Sequence, residues 1–189
     1  VFTSGLLTVG HTIMMEHKAY LFDYELFDRE LRTLLENALR SGDSTGLVSF
    51  INANLGCLKD PYEGETLTAD WQDLIETQDA HQYGDFALTK YYDPKADTGL
   101  GPDWDEVQQM LAGDLAMTVS PVLGATVGPP DDPFDPGKMG AYSQTKQQVI
   151  RNYSNLTGLV VNQSASVLNR AIRMLKEAVD AGSGLYITF

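Results

Sequence analysis

Apolar residues recur at helical spacing along most of the chain. Phe27, Leu31, Leu34, Leu35 and Ala38 form one stripe, Arg29, Arg32, Glu36 and Arg40 occupy other faces, and Gly42 is a stop signal. Leu47, Val48, Ile51 and Leu55 predict a second, shorter helix, capped from Asp43, Ser44 or Thr45 and ended by Gly56; the two should pack as an antiparallel pair. Thr68 can cap a third helix bearing Trp71, Leu74 and Ile75 after the turn at 60–64. Tyr83, Phe86, Ala87 and Tyr91 share the face of a fourth, closed by Asp93-Pro94. Pro102, Asp103, Asp105 and Glu106 make the acidic first turn of a fifth, with Trp104, Val107 and Leu111 facing inward.

Periodicity disappears over residues 113–142, where Pro121, Pro129, Pro130, Pro133 and Pro136 alternate with Gly124, Gly128, Gly137 and Gly140. A loop of this length inside a domain points to a functional segment. Beyond it, Val149, Ile150, Tyr153 and Leu156 mark a helix with Ser143 as its cap. Val167, Leu168, Ala171, Ile172, Leu175 and Val179 mark a stronger one ending before Gly182. Two aromatic-rich runs, 19–22 and 185–189, read as strands that pair with each other. The expected fold is therefore mainly α: about seven short helices in one domain over 16–189, with a two-stranded sheet joining the N- and C-terminal regions. Residues 1–15 read as a tail.

Composition changes this picture little, but charge changes it a good deal. The 189 residues carry a net charge of −13, and residues 60–135 hold seventeen acids against two bases. Such a field repels nucleic-acid phosphates and anionic lipid and favours basic protein surfaces or metal ions. No apolar run is long enough to span a membrane, and the first fifteen residues lack the pattern of a signal peptide, so a cytoplasmic chain is expected. The single Cys57 lies between Leu55 and Leu58 and reads as a buried, inert thiol.

Candidate chemistry is sparse. Asp93, Asp97, Asp103 and Asp105 surround Gly99 and Gly101, which suggests an irregular divalent-cation loop. Counting EF-hand positions from Asp93, however, gives Lys95, Thr98 and Trp104 where an acid, a glycine and a glutamate are needed. The plainer reading is Asx turns and a helix start. His81 and Asp85 share a helix face at four-residue spacing, enough to orient an imidazole but two ligands short of a zinc site. The glycines at 99 and 101 lack the third of a dinucleotide loop, Gly137-Lys138-Met139 lacks the P-loop hydroxyl, and no nucleophile elbow occurs. The sequons at Asn152, Asn155 and Asn162 fall on or beside helices and read as chance.

The most distinctive stretch is 131–142, where Phe134, Met139 and Tyr142 punctuate a breaker-rich loop that also carries Asp131, Asp132 and Asp135. Those apolar groups either pin the loop to the body or present an edge to a partner. Together with Asp73, Glu76 and Asp79 they define the expected binding surface. The leading expectation is an acidic intracellular binding protein that docks a basic protein, in the manner of small inhibitor or immunity proteins, with no cofactor and no nucleic-acid or membrane partner. One alternative is an enzyme or metal protein using His81 with Asp85, or the 93–105 loop. Another is a structural or oligomer subunit whose basic C-terminal helices, with Arg151, Arg170, Arg173 and Lys176, neutralise the acidic middle internally.

Overall fold

The computed structural model describes residues 15–112, 120–137, 139–160 and 166–189. Strand β1 (Lys18–Phe22) leads into α1 (Tyr24–Glu30), α2 (Arg32–Ser41) and α3 (Thr45–Asn54), followed by short 3-10 turns at Leu55–Cys57 and Trp71–Leu74. Helices α4 (Ala80–Leu88) and α5 (Trp104–Ala112) come next, then strands β2 (Ala125–Thr126) and β3 (Tyr142–Gln144). Helices α6 (Lys146–Val160) and α7 (Ser166–Ala181) precede the terminal strand β4 (Gly184–Thr188).

β1 and β4 pair antiparallel from Lys18↔Thr188 to Phe22↔Gly184, as the two aromatic-rich runs predict. The sheet does not stop there. β3 lies on the other edge of β4, β2 lies on β3, and the order is β1-β4-β3-β2, antiparallel throughout. The fold is mixed α/β with a four-stranded sheet, which corrects the expectation of a mainly α domain with two strands. β2 and β3 have two and three residues and lie within the Pro/Gly-rich stretch, so they are too short to show alternation. Gly124 permits the pairing: its φ is 89°, and a Cβ there would stand 2.3 Å from the Ser143 carbonyl oxygen.

Alternation along the strands divides the core in two. Tyr20, Phe22 and Tyr186 pack with the residues of α1–α4, whereas Ala19, Leu185 and Ile187 pack with those of α5–α7. Both faces of the sheet are covered by helices, so β4 reads as an unbroken apolar run, the pattern of a doubly buried strand.

Several elements depart from the sequence pattern in their bounds. The 27–38 stripe breaks at Leu31, where one helix ends and the next begins. The third expected helix is a single 3-10 turn. Ser143 belongs to β3, and α6 is capped instead by Thr145, whose Oγ1 accepts from the Gln148 amide (3.2 Å) while Gln148 Oε1 accepts from the Thr145 amide (2.7 Å). Cys57 is exposed, because Leu58 takes the inward position at the end of that turn. Residues 1–14 of the expected tail lie outside the described residues, while the Met15 carbonyl accepts from Trp104 Nε1 at 3.2 Å.

The entry to β1 is locked by backbone approach. His17 is fully buried; its Nε2 donates to the Val122 carbonyl (2.9 Å) and its Nδ1 accepts from the Leu100 amide (3.2 Å). Beside it Gly99 runs so close to β1 that a Cβ would lie 2.2 Å from the His17 carbonyl oxygen. Gly99→Ala is expected to lower unfolding stability by roughly 2–3 kcal/mol, since neither backbone can yield without breaking the paired backbone hydrogen bonds between His17 and Gly101 (3.1 and 3.0 Å). Urea titration checks this, and an unchanged midpoint would contradict the packing described.

Candidate functional site: an acidic cleft beside the N-terminus of α4

The loop after β2 returns over the N-terminus of α4. Phe134 is its anchor, 1% exposed, with its amide donating to the Val127 carbonyl (2.8 Å) and its ring stacked on His81 at 6.1 Å. Gly84 makes room for that ring: a Cβ there would meet it at 2.7 Å. One residue on, the Asp135 amide donates to His81 Nδ1 at 3.0 Å, and Asp135 Oδ1 accepts from the Gly140 amide at 2.8 Å. Opposite this loop, Gln82 Oε1 gathers the amides of Glu76 (2.8 Å) and Thr77 (2.7 Å), while Asp79 caps α4 by accepting from the Gln82 amide at 2.9 Å. Gln78, between them, sits at φ 50°, a left-handed conformation that a non-glycine residue adopts at a cost.

Between these walls lies a cleft of about 630 Å³. Its lining brings Glu76 and Asp79 from one segment against Asp132 and Asp135 from another, with Tyr62 and His81 and, among the described residues, without a lysine or arginine. None of the ion pairs among the described residues involves these four carboxylates. Asp73 and Asp131 are exposed outside the lining. Phe134 is in the core and is not displayed, Met139 is half-buried, and Tyr142 packs with Phe189 (6.4 Å) in the core on the opposite side of the sheet.

The metal-site candidates are not brought together. Asp93 accepts from Lys59 Nζ (2.9 Å) and the Lys95 amide (3.1 Å), and the Lys59 ammonium foremost holds its carboxyl below the ordinary range. Asp97 accepts from the amides of Ala19 (3.0 Å) and Gly99 (2.8 Å), Asp103 pairs with Arg170, and Asp105 accepts from Gln109 (2.8 Å). Among the described residues no three His, Cys, Asp or Glu side chains are placed to share a metal ion. His81, tied to the loop, and Asp85 do not act as a pair.

Asp85 has a different setting from the one its spacing suggests. It is 6% exposed on α4, whose residues from Tyr83 to Leu88 are all buried, and it lies beneath the exposed Tyr62. Burial, with a smaller push from Asp60, raises its carboxyl to about 7, although the Tyr62 hydroxyl, reaching it from the surface, favours the charged form. Tyr20, Tyr92 and Tyr186 complete the surroundings, with ring centroids 4.8 Å (Tyr20–Tyr92) and 5.0 Å (Tyr92–Tyr186) apart. Burial and then the Asp85 charge hold the Tyr92 and Tyr186 phenols far above their usual value. This cluster was invisible in the one-dimensional pattern; its only trace is an acid set inside the apolar run from Tyr83 to Leu88.

No family model, curated protein or solved structure matches this chain. Among the described residues no helix is long and apolar enough to cross a membrane.

The folded protein holds the Asp85 proton to about pH 7, whereas an unfolded chain releases it near the ordinary aspartate value. Asp85 thus favours the fold fully below about pH 4 and loses that contribution as pH rises through about 7. Asp85→Asn is expected to be more stable than the parent at about pH 8, by roughly 4 kcal/mol at most, with the gap closing toward about pH 4. Urea titrations at the two pH values test this; a variant no more stable than the parent at the higher pH would contradict it.

Proposed function

We propose that this chain is an acidic intracellular binding protein that uses the cleft between α4 and the 127–137 loop to dock a basic protein partner. The observation that supports this most directly is the convergence of Glu76, Asp79, Asp132 and Asp135, from segments far apart in sequence, around one opening that, among the described residues, no lysine or arginine lines. Carboxylates left unpaired and close together raise the local negative potential, which steers a cationic surface into register and makes association fall with salt. Three other acids of the middle segment are paired, Glu65 with Lys95, Asp93 with Lys59 and Asp103 with Arg170, while Asp73 and Asp131 are exposed outside the cleft.

Two exposed apolar side chains flank the acids. Tyr62 is 66% exposed on the cleft wall, and Leu74 is 51% exposed on the turn that leads to Glu76. An aromatic anchor beside carboxylates is the composition of a protein-binding surface more than of a site for a small metabolite. The exposed, unpaired thiol of Cys57 suits a reducing, cytoplasmic setting.

Charge reversal identifies the surface. Glu76→Lys with Asp132→Lys leaves the Asp79 cap intact, and is expected to reduce recovery of a basic partner from a host extract at least about tenfold at low salt while leaving the thermal midpoint nearly unchanged. Asp105→Lys, on an exposed face of α5, is the control and should recover the partner as the parent does. Recovery equal for the parent and the double variant, or indifferent to salt, would overturn the reading.

A further inference from the structure

The two walls of the acidic cleft are fastened to consecutive residues in the first turn of α4. Gln82 holds one wall: its Oε1 accepts from the amides of Glu76 (2.8 Å) and Thr77 (2.7 Å) and from the Thr77 hydroxyl (3.0 Å). His81 holds the other, its Nδ1 accepting from the Asp135 amide at 3.0 Å. A carboxamide keeps its charge at every ordinary pH, whereas an imidazole changes its charge between about pH 5 and 8. One wall is therefore tied by fixed bonds and the facing wall by a bond that a single proton breaks.

A backbone N–H only donates, so the bond to Asp135 requires the lone pair on Nδ1 and places the ring proton on Nε2. A second proton, arriving from solvent, has only that lone pair to bind. The ring then carries N–H groups on both nitrogens, Nδ1–H meets the Asp135 N–H donor to donor, and the contact must open. His81 is half-buried and lines the cleft, so solvent reaches it.

What the proton moves is confined to the end of the loop. Phe134 stays anchored by its buried ring and by its amide, which donates to the Val127 carbonyl (2.8 Å). Asp135, Pro136 and Gly137 line the cleft, and Asp135 Oδ1 accepts from the Gly140 amide (2.8 Å), so its carboxylate and the backbone behind it move together. Around the ring stand Asp79 at the helix cap, Glu76 before it, Asp132 and Asp135 on the loop, and Tyr62. Asp85, one turn further along α4, is buried outside the lining. Among the described residues no lysine or arginine lines the cleft, so a charged imidazole is drawn to these carboxylates and cancels part of the field that attracts a basic partner.

We propose that His81 is a proton-operated latch on the docking cleft. Neutral, it holds Asp135 and the loop end where the four carboxylates stand together; protonated, it frees them and offsets part of their charge, so a basic partner docks at neutral pH and is let go in acid. The consequence for docking rests on the basic-partner reading of the cleft, whereas the latch itself is a property of the free protein.

Long-range proton–nitrogen NMR of the full chain reads the latch without a partner. At about pH 8 His81 should carry its proton on Nε2. On lowering the pH to about 5, the Asp135 amide resonance should follow the His81 ring with the same midpoint and lose its protection from solvent exchange, while the Glu76 and Thr77 amides held by Gln82 keep theirs. A ring proton on Nδ1 at the higher pH, or a ring that titrates while the Asp135 amide stays protected, overturns the latch. Calorimetry with a hexa-lysine peptide at low salt reads the consequence. The parent should bind about tenfold more weakly at about pH 5.5 than at about pH 7.5. His81→Gln should remove that difference, and Asp85→Asn, which removes the carboxyl raised to about 7 outside the cleft, should keep it. A difference that survives His81→Gln, or that disappears in Asp85→Asn, overturns control of docking by the latch and leaves the docking reading standing. Peptide binding that Glu76→Lys with Asp132→Lys does not weaken overturns the docking reading instead, and the resonances alone then decide the latch.

Discussion

A carboxyl group withdrawn from water between a helix and the tyrosine-bearing face of a sheet must stay neutral or meet a cation. Asp85 is in that position, and the described chain supplies no cation to it. The sheet creates the constraint: β4 is covered on both faces, so Tyr186 and Tyr20 must point into the helical layer that holds α4. The turn carrying Tyr62 then closes the remaining side. The acidic cleft is lined by the cap of α4 and the loop pinned by Phe134, which place Glu76, Asp79, Asp132 and Asp135 around one opening.

The helices were largely legible from spacing because their apolar stripes are long, α7 most clearly, and the β1–β4 pair was legible because both runs are aromatic and apolar. The two short strands were not. Residues 125–126 and 142–144 have no room for a period, and the prolines between them mask a return of the chain that depends on Gly124 approaching Ser143. Helix bounds failed where local chemistry outranked periodicity, as at Leu31 and at the Thr145–Gln148 capping box.

The charge map identified the acids but not which of them are available. Asp93 and Asp97 accept from amides two residues on, as the Asx-turn reading expects, whereas the Lys59 and Arg170 partners of Asp93 and Asp103 come from far along the chain, where linear spacing does not reveal them. The sequence reading places Glu76, Asp79, Asp132 and Asp135 on one surface with Asp73, Asp131, Phe134, Met139 and Tyr142; the return of the loop brings the first four around one cleft and leaves the others outside its lining. Asp85 was noticed for its distance from His81, yet its neighbours are tyrosines from two strands and two turns, none of which a four-residue offset can indicate.

The most direct measurement is the titration of the Asp85 side-chain carboxyl by carbon-13 NMR in the free protein, assigned by comparison with Asp85→Asn. A midpoint about three units above the ordinary aspartate value, near 7, is what this setting predicts. A midpoint near 4 would mean that water or a cation already reaches the group, and the account of a carboxyl withdrawn from water between α4 and the sheet would fail.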